Sequence, residues 1–338
     1  MSKIPTPEVS PLFIDKISLT GNPAQDAIEF RGHADTVFAI WKTSGRAQEG
    51  FKKHGSRYKV AYTLLDGNKK LCLVQLDPVI PKHAMFRLAF NPKKLGTRGR
   101  RILHEHLTEL FLADYDKVMA GVKITAMDVT VEVTYVEFSA LMVTENWRRG
   151  SGVWGKTFDK DGRRTHTYYL GAPRSNEQVE VYDKKEEGIA TTGRDPGQLI
   201  TRVEVSLIPR IRNADGKYRS GIYLHELRTL PNAFARVQLS SLPAAEKYSN
   251  DYRWKLFLGC CEAKGVQGAL GVLPDKKRSR YLKRVNKGGF GWWQPTAIWK
   301  GLQTALKTIG IFPDSAFEKP AVDGDSGSAI EEAEEEAV

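Results

Sequence analysis

The sequence predicts an α+β fold, an antiparallel-sheet catalytic core with flanking helices, followed by a mainly helical C-terminal appendage and a disordered acidic tail. Three observations carry that expectation. Apolar residues alternate with a period of two over most of the first 212 residues. A single strongly amphipathic helix signal interrupts them near residue 110. From Ser240 onward the period is helical and the chain turns basic.

Each element can be justified in order. Residues 12–20 (LFIDKISLT), 57–66 (RYKVAYTLLD) and 69–77 (KKLCLVQLD) alternate as strands, the last two forming a hairpin. Residues 91–101 (NPKKLGTRGRR) read as a basic turn. Leu103, Leu107, Leu110, Phe111, Tyr115 and Val118 then fall at helical spacing, with Gly121 as a stop. Residues 122–138 return to period two as a long strand. Residues 165–170 and 178–183 read as a hairpin around GAPRSNE, and 200–208 (ITRVEVSLI) as a further strand. Helical pieces are expected at 242–264 and 297–308, with DKKRSRYLKRVNK between them and GGFGWWQP (288–295) breaking the helical pattern. The predicted organisation is a core over 1–212, a connecting segment 213–239, a basic appendage 240–317 and a tail 318–338.

Composition narrows the class. Hydrophobic content of 41% and charged content of 27% suit a globular chain able to bury a core. No stretch approaches the roughly 20 apolar residues of a membrane span, and MSKIPTPEVSP lacks the apolar run of a secretory leader. Three cysteines, Cys72, Cys260 and Cys261, make neither a disulfide framework nor a zinc spacing, so a reducing, cytoplasmic setting is expected. The net charge is +11, and the tail from Glu318 carries eight acids and one lysine, leaving +18 on the rest. Such a surface favours a polyanionic partner, most simply nucleic acid.

Two sets of residues suggest chemistry. In MDVTVEVT, Asp128 and Glu132 share one strand face while Val129, Val131 and Val133 take the other. Glu204 in TRVEVSL follows the same logic. Three carboxylates on neighbouring strands suit Mg²⁺ or Mn²⁺; equally, they fit a solvated face whose acids pair with Arg or Lys. In QVEVYDKKEE, Glu180, Tyr182 and Lys184 share a face if the strand runs that far. A phenol is a weak nucleophile unless a neighbour activates it, and Lys184 or a metal is the candidate.

TYYLGAPRSNEQVEVYDKKEE followed by LITRVEVSLIPR resembles the core of the Rep-trans type rolling-circle replication initiators and related relaxases. The matching elements are Tyr169-Leu-Gly-Ala, Val181-Tyr182-Asp183-Lys184, Arg202-Val203-Glu204, and Asp128 with Glu132. The resemblance spans roughly residues 100–212. Ala172 stands where the family has Ser or Asn, and Ala126 and Met127 where it has an arginine. It implies site-specific nicking and rejoining of one DNA strand at an origin through a covalent 5′-phosphotyrosine. Tyr182 would be the nucleophile, with Tyr168 and Tyr169 as rivals, Lys184 would assist at the phosphate, and Asp128, Glu132 and Glu204 would hold Mg²⁺ or Mn²⁺. The implied setting is the cytoplasm of a bacterial host, and an oligomer is compatible with it. The partner is origin DNA, a single-stranded or hairpin nick site with flanking duplex. No GxxxxGK[ST] loop is present, so a host helicase would unwind and a host polymerase extend. A non-catalytic DNA-binding protein on the same fold is the competing reading, and an RNA-binding or structural protein a third.

Two further motifs remain. His104-Glu105-His106 lies on the predicted helix, where side chains two apart do not converge, so it reads as a solvated helix face. Lys276, Lys277, Arg278, Arg280, Lys283, Arg284 and Lys287 make a basic run interleaved with Tyr281. Trp292 and Trp293 follow, and aromatics beside cations suit stacked bases beside phosphates. A solvated run beside a tryptophan-anchored core has the same pattern.

Overall fold

A computed structural model describes residues 7–50, 56–145, 154–156, 167–171, 175–195, 197–212, 216–247, 249–287 and 292–319. The expected tail beyond Lys319, Ala172 of the turn motif and GGFG at 288–291 lie outside the described residues. In chain order, β1 (Glu8–Val9) and β2 (Phe13–Gly21) precede α1 (Ala27–Thr43), and β3 (Ala47–Glu49), β4 (Tyr58–Asp66), β5 (Lys69–Pro78) and β6 (Phe86–Phe90) lead to α2 (Pro92–Phe111) and α3 (Tyr115–Ala120). Next come β7 (Lys123–Thr134), β8 (Leu141–Glu145), β9 (Trp154–Lys156), β10 (Thr167–Leu170), β11 (Glu177–Asp183), α4 (Lys184–Thr192) and β12 (Ile200–Leu207). β13 (Arg210–Arg212), β14 (Tyr218–Ser220), β15 (Ile222–Tyr223) and β16 (Val237–Ser241) close the strands, and α5 (Leu242–Lys247), α6 (Tyr252–Gly271), α7 (Asp275–Lys287), α8 (Pro295–Trp299) and α9 (Leu302–Lys307) follow.

The fold is α+β. One antiparallel sheet runs β3-β4-β5-β6-β2-β7-β12-β11-β10-β9, and β1 and β15 add to the two ends of β7. Alternation along β7 decides its two faces. Met127, Val129, Val131 and Val133 are buried, while Asp128 and Glu132 are only partly covered. Val203 and Val205 of β12, and Val179 and Val181 of β11, continue the buried face across the register. The opposite face of these strands is polar and carries the candidate site.

The helix read from Leu103 begins earlier, at Pro92. Asn91 caps it by accepting from the Lys94 amide at 3.0 Å, and Pro92 occupies the first turn, where its missing N–H costs nothing. Gly96, at φ 66°, kinks it. The basic turn expected over 91–101 is therefore helical: what read as turn punctuation is a cap and a kink. A second helix, α1, gave no expectation. It buries Phe30, Ala34, Val37, Phe38 and Trp41.

The 213–239 segment joins the sheet, since Ile222 pairs with Ile124 of β7. The residues after 240 divide between two cores. Trp293, Leu302, Leu306, Ile309 and Ile311 pack into the main core. Trp254, Phe257, Leu258, Val266, Tyr281 and Val285 form a second core with Met142 of β8. β8 pairs with β16 as a separate two-stranded sheet under these helices.

At the hairpin between β10 and β11, Gly171 has φ 96°, and an added Cβ would lie 2.9 Å from the Glu177 carbonyl oxygen. Gly171→Ala should therefore lower stability by about 1–3 kcal/mol, read as a drop in the urea midpoint. An unchanged midpoint would mean that this turn does not need its left-handed residue.

Candidate active site

Cross-strand register assembles the site. Tyr182 on β11 lies opposite Arg202 on β12, and Arg202 lies opposite Glu132 on β7. One row along, Glu180 faces Glu204, which faces Thr130, which faces Phe13 of β2. In the third row Ser206 faces Asp128, which faces Lys16. Residues at i and i+2 of a strand share a face, so all these side chains except the core valines between them lie on the polar side.

The Tyr182 hydroxyl sits between a cation and an acid. Arg202 Nη1 donates to it at 3.3 Å, and it donates to Glu204 Oε2 at 3.4 Å. Arg202 is 6% exposed and also bridges to Glu132, whose Oε1 receives Lys93 at 2.9 Å. The Phe13 ring backs this group, with Lys93 Nζ 3.7 Å and the Arg202 guanidinium 5.7 Å from its centroid. Arg202 Nε is buried without a hydrogen-bond partner among the described residues.

The acids divide by environment. Glu204 is pushed up to about 7, first by burial, then by the charges of Asp128, Asp15 and Glu180, with Arg202 opposing. Burial also raises Asp128, against the Ser206 hydroxyl that donates to it at 2.8 Å and the Lys16 charge. Burial would raise Glu132 too, but hydrogen bonds from Arg202 and Lys93 and their charges hold it below the usual range. The Tyr182 phenol is raised by burial and then by Glu204, and Arg202 offsets this only in part.

These facts sort the expected site residues. Tyr182 and Glu204 meet directly, and Asp128 lies close enough to Glu204 to act on its charge. Glu132 is committed to Arg202 and Lys93. Lys184 is not on the strand: β11 ends at Asp183, whose side chain caps α4. Lys184 starts that helix, ion-pairs with Glu187 and lies 5.9 Å from the Tyr182 ring centre. The phenol it was expected to activate is raised rather than lowered. Tyr168 pairs with Val181 on the core face and stacks on Phe138 at 5.5 Å, whereas Tyr169 pairs with Glu180 on the polar face. Among the described residues no three His, Cys, Asp or Glu side chains converge as a ready metal site. The three residues of His104-Glu105-His106 do not share a solvated face: Glu105 is exposed, but His106 is buried against Trp41, with Nδ1 2.7 Å from the Ile102 carbonyl.

The tryptophans differ. Trp293 is 5% exposed, and its Nε1 donates to the Val237 carbonyl at 2.9 Å, so the indole expected to stack on a base is a core anchor. Trp292 is half-buried and lines a cavity of about 840 Å³ with Phe13, Lys93, Arg100 and Ile298. Phe13 and Lys93 are common to that cavity and to the Tyr182 cluster.

Sequence reasoning missed Phe13, Ser206 and Asp15, and it named Arg202 only within the Arg202-Val203-Glu204 motif and Lys93 only within the basic stretch 91–101, with no role at the Tyr182 cluster. Arg202 was within reach, since it stands two residues before Glu204 on the same strand face. The others depend on which strands and helices become neighbours.

No protein-family model matches the sequence, and no curated protein matches it. Among solved structures, the chain is similar to a rolling circle replication initiator protein from Geobacillus stearothermophilus, with 18% identity and a TM-score of 0.39 over 77% of this chain and 98% of that one. The likeness is distant. No helix among the described residues is long and apolar enough to cross a membrane.

Proposed function

We propose that the chain nicks and rejoins a DNA strand, with Tyr182 as the nucleophile and origin DNA as the substrate. The observation that carries this reading is the Tyr182 hydroxyl held between the Arg202 guanidinium and the Glu204 carboxylate on the polar face of the sheet. A phenol raised by burial attacks only if a base removes its proton as the bond forms. Glu204, poised near neutrality, is that base. The phenol oxygen bonds to phosphorus, the bond from phosphorus to the 3′ oxygen breaks, and the proton held on Glu204 passes to the leaving 3′ oxygen. A 5′-phosphotyrosine and a 3′ hydroxyl result, and the reverse transfer rejoins the strand without ATP. Arg202 stabilises charge developing on the phenol oxygen. The cavity lined by Trp292, Ile298, Lys93 and Arg100 gives the unpaired strand apolar walls and cations beside the nucleophile.

The donor set fits a divalent metal in part. Asp128 and Glu204 are carboxylates raised by burial and by neighbouring charge, an arrangement a hard cation relieves. Asp128 would supply carboxylate oxygen to Mg²⁺ or Mn²⁺ while Glu204 stays the base, and Glu132, held by Arg202 and Lys93, would not take part. When bound, the ion would polarise the phosphate oxygens. Replication, the host helicase and polymerase, and the cytoplasm of a bacterial host belong to this same reading.

The test uses supercoiled DNA of the replicon that encodes the chain, with and without Mn²⁺, followed by denaturing gels. Wild type is expected to give a covalent protein–DNA adduct, and Tyr182→Phe none. An adduct that survives in Tyr182→Phe moves the nucleophile, first to Tyr169. No adduct from the wild type on this DNA would leave the non-catalytic DNA-binding reading in its place.

A further inference from the structure

The basic run does not act as one patch. Arg278 is structural: Nε donates to the carbonyls of Leu270 and Leu273 at 3.0 Å each, and Nη2 donates to that of Gly271 at 3.2 Å, closing the end of α6. Arg284 lies over the Trp254 ring at 5.4 Å and pairs with Asp251 at 3.8 Å. Lys276, Lys277, Arg280, Lys283 and Lys287 remain, all exposed and without an ion-pair partner among the described residues. Lys277 points off to one side, and the other four are spaced four, three and four. At 3.6 residues per turn they fall within a sector of about 60° around the helix.

The opposite side of α7 is fixed. Tyr281 and Val285 are buried in the second core, with the Tyr281 ring 4.8 Å from Phe257 and 5.7 Å from Trp254. Two strands hold its last turn: Thr144 of β8 donates to the Asn286 side chain at 2.9 Å, and Ser240 of β16 donates to the Val285 carbonyl at 3.2 Å. The aromatic once expected to interleave with phosphates is the anchor of the helix. The result is a rigid helix about 20 Å long, bearing four cations in a line and joined to α6 by the tight turn Val272–Pro274.

We propose that α7 enters the major groove of duplex DNA, with Lys276, Arg280, Lys283 and Lys287 as its contacts. The groove, about 12 Å wide, admits one helix. The line of cations complements its phosphate rims. The proposal rests on the nicking reading only for where that duplex lies, namely flanking the nick site. Duplex RNA offers no equivalent, since its major groove is too deep and narrow for side chains to read.

The test measures binding of the full chain to a labelled 30-bp DNA duplex by fluorescence anisotropy across a salt series. The variants are Arg280→Ala/Lys283→Ala and, as a control of equal charge, Lys70→Ala/Lys117→Ala on the other core. Each lost phosphate contact removes about 0.9 from the slope of log affinity against log salt. The α7 variant should therefore bind roughly 50-fold more weakly near 0.1 M salt, with the control unchanged. Its adduct formation on a single-stranded origin oligonucleotide should match the wild type. Equal duplex affinity for the α7 variant and the control would overturn the proposal, as would preferred binding of duplex RNA. Because the binding arm needs no cleavage, failure of the nicking reading leaves it readable.

Discussion

Glu204→Gln is expected to yield a protein more stable than the wild type at pH 8 and nearly unable to form the DNA adduct. The carboxyl is raised from an ordinary value of 4.5 to about 7 in the folded chain. Between those values the folded state binds more protons than the unfolded one, so stability falls as pH rises through that window. Above pH 7 the whole deficit is present. Two and a half pH units correspond to about 3 kcal/mol, and the amide escapes this because it never ionises. Gln also keeps an oxygen to accept from Tyr182, so packing is preserved. Urea midpoints at pH 5 and pH 8 check this: the variant's advantage should be large at pH 8 and small at pH 5. Loss of the base should slow adduct formation by about 10²–10⁴-fold, and the wild-type rate should climb through pH 7. A variant with no pH-dependent stability gain would refute the buried, crowded carboxyl. A variant with unimpaired adduct formation would remove Glu204 from proton transfer.

A double effect of this kind would mark a site selected for chemistry rather than for stability. Arg202 carries a comparable cost. Its Nε is a buried donor with no partner among the described residues, a state that costs about 1–3 kcal/mol. A core built for stability alone would use an apolar side chain there.

Much of this was legible in the sequence because strand alternation is local. The faces of β7, β11 and β12 follow from VTVEV, VEVY and TRVEV without any tertiary information, and the structure puts Val129, Val131, Val179, Val181, Val203 and Val205 inside. What was not legible depends on register. That Glu132 would face Arg202, and not a metal beside Asp128, is decided by which residue of β12 pairs with which of β7. A slip of one residue would reverse every face. Lys184 was misplaced for a different reason. Asp183 caps α4 by accepting from the amides of Lys185 and Glu186, so the strand stops one residue before the lysine. In α1 the helical spacing of Phe30, Val37, Phe38 and Trp41 was present but diluted by the exposed Ile28 and Ile40. In the basic run, periodicity separates the exposed cations from Tyr281 and Val285. Only the packing shows that Arg278 and Arg284 serve the second core.

Arg202→Met is expected to destabilise the fold by about 3 kcal/mol and to abolish the adduct, and the two effects should be separable. Removing one partner of a buried ion pair leaves the other uncompensated, typically at 3–5 kcal/mol. The lower end applies because Lys93 still reaches Glu132. Replacing both partners with apolar side chains of similar volume removes the buried charge altogether and is often neutral or stabilising. Arg202→Met/Glu132→Leu should thus unfold at a urea concentration close to that of the wild type. It should remain without adduct, because the phenol oxygen has lost the guanidinium 3.3 Å away and Glu204 alone cannot balance the charge that develops there. Rescue of stability without rescue of chemistry would place Arg202 in the reaction. Rescue of both would reduce it to a strut between β7 and β12, and the nucleophile would then rest on Glu204 alone.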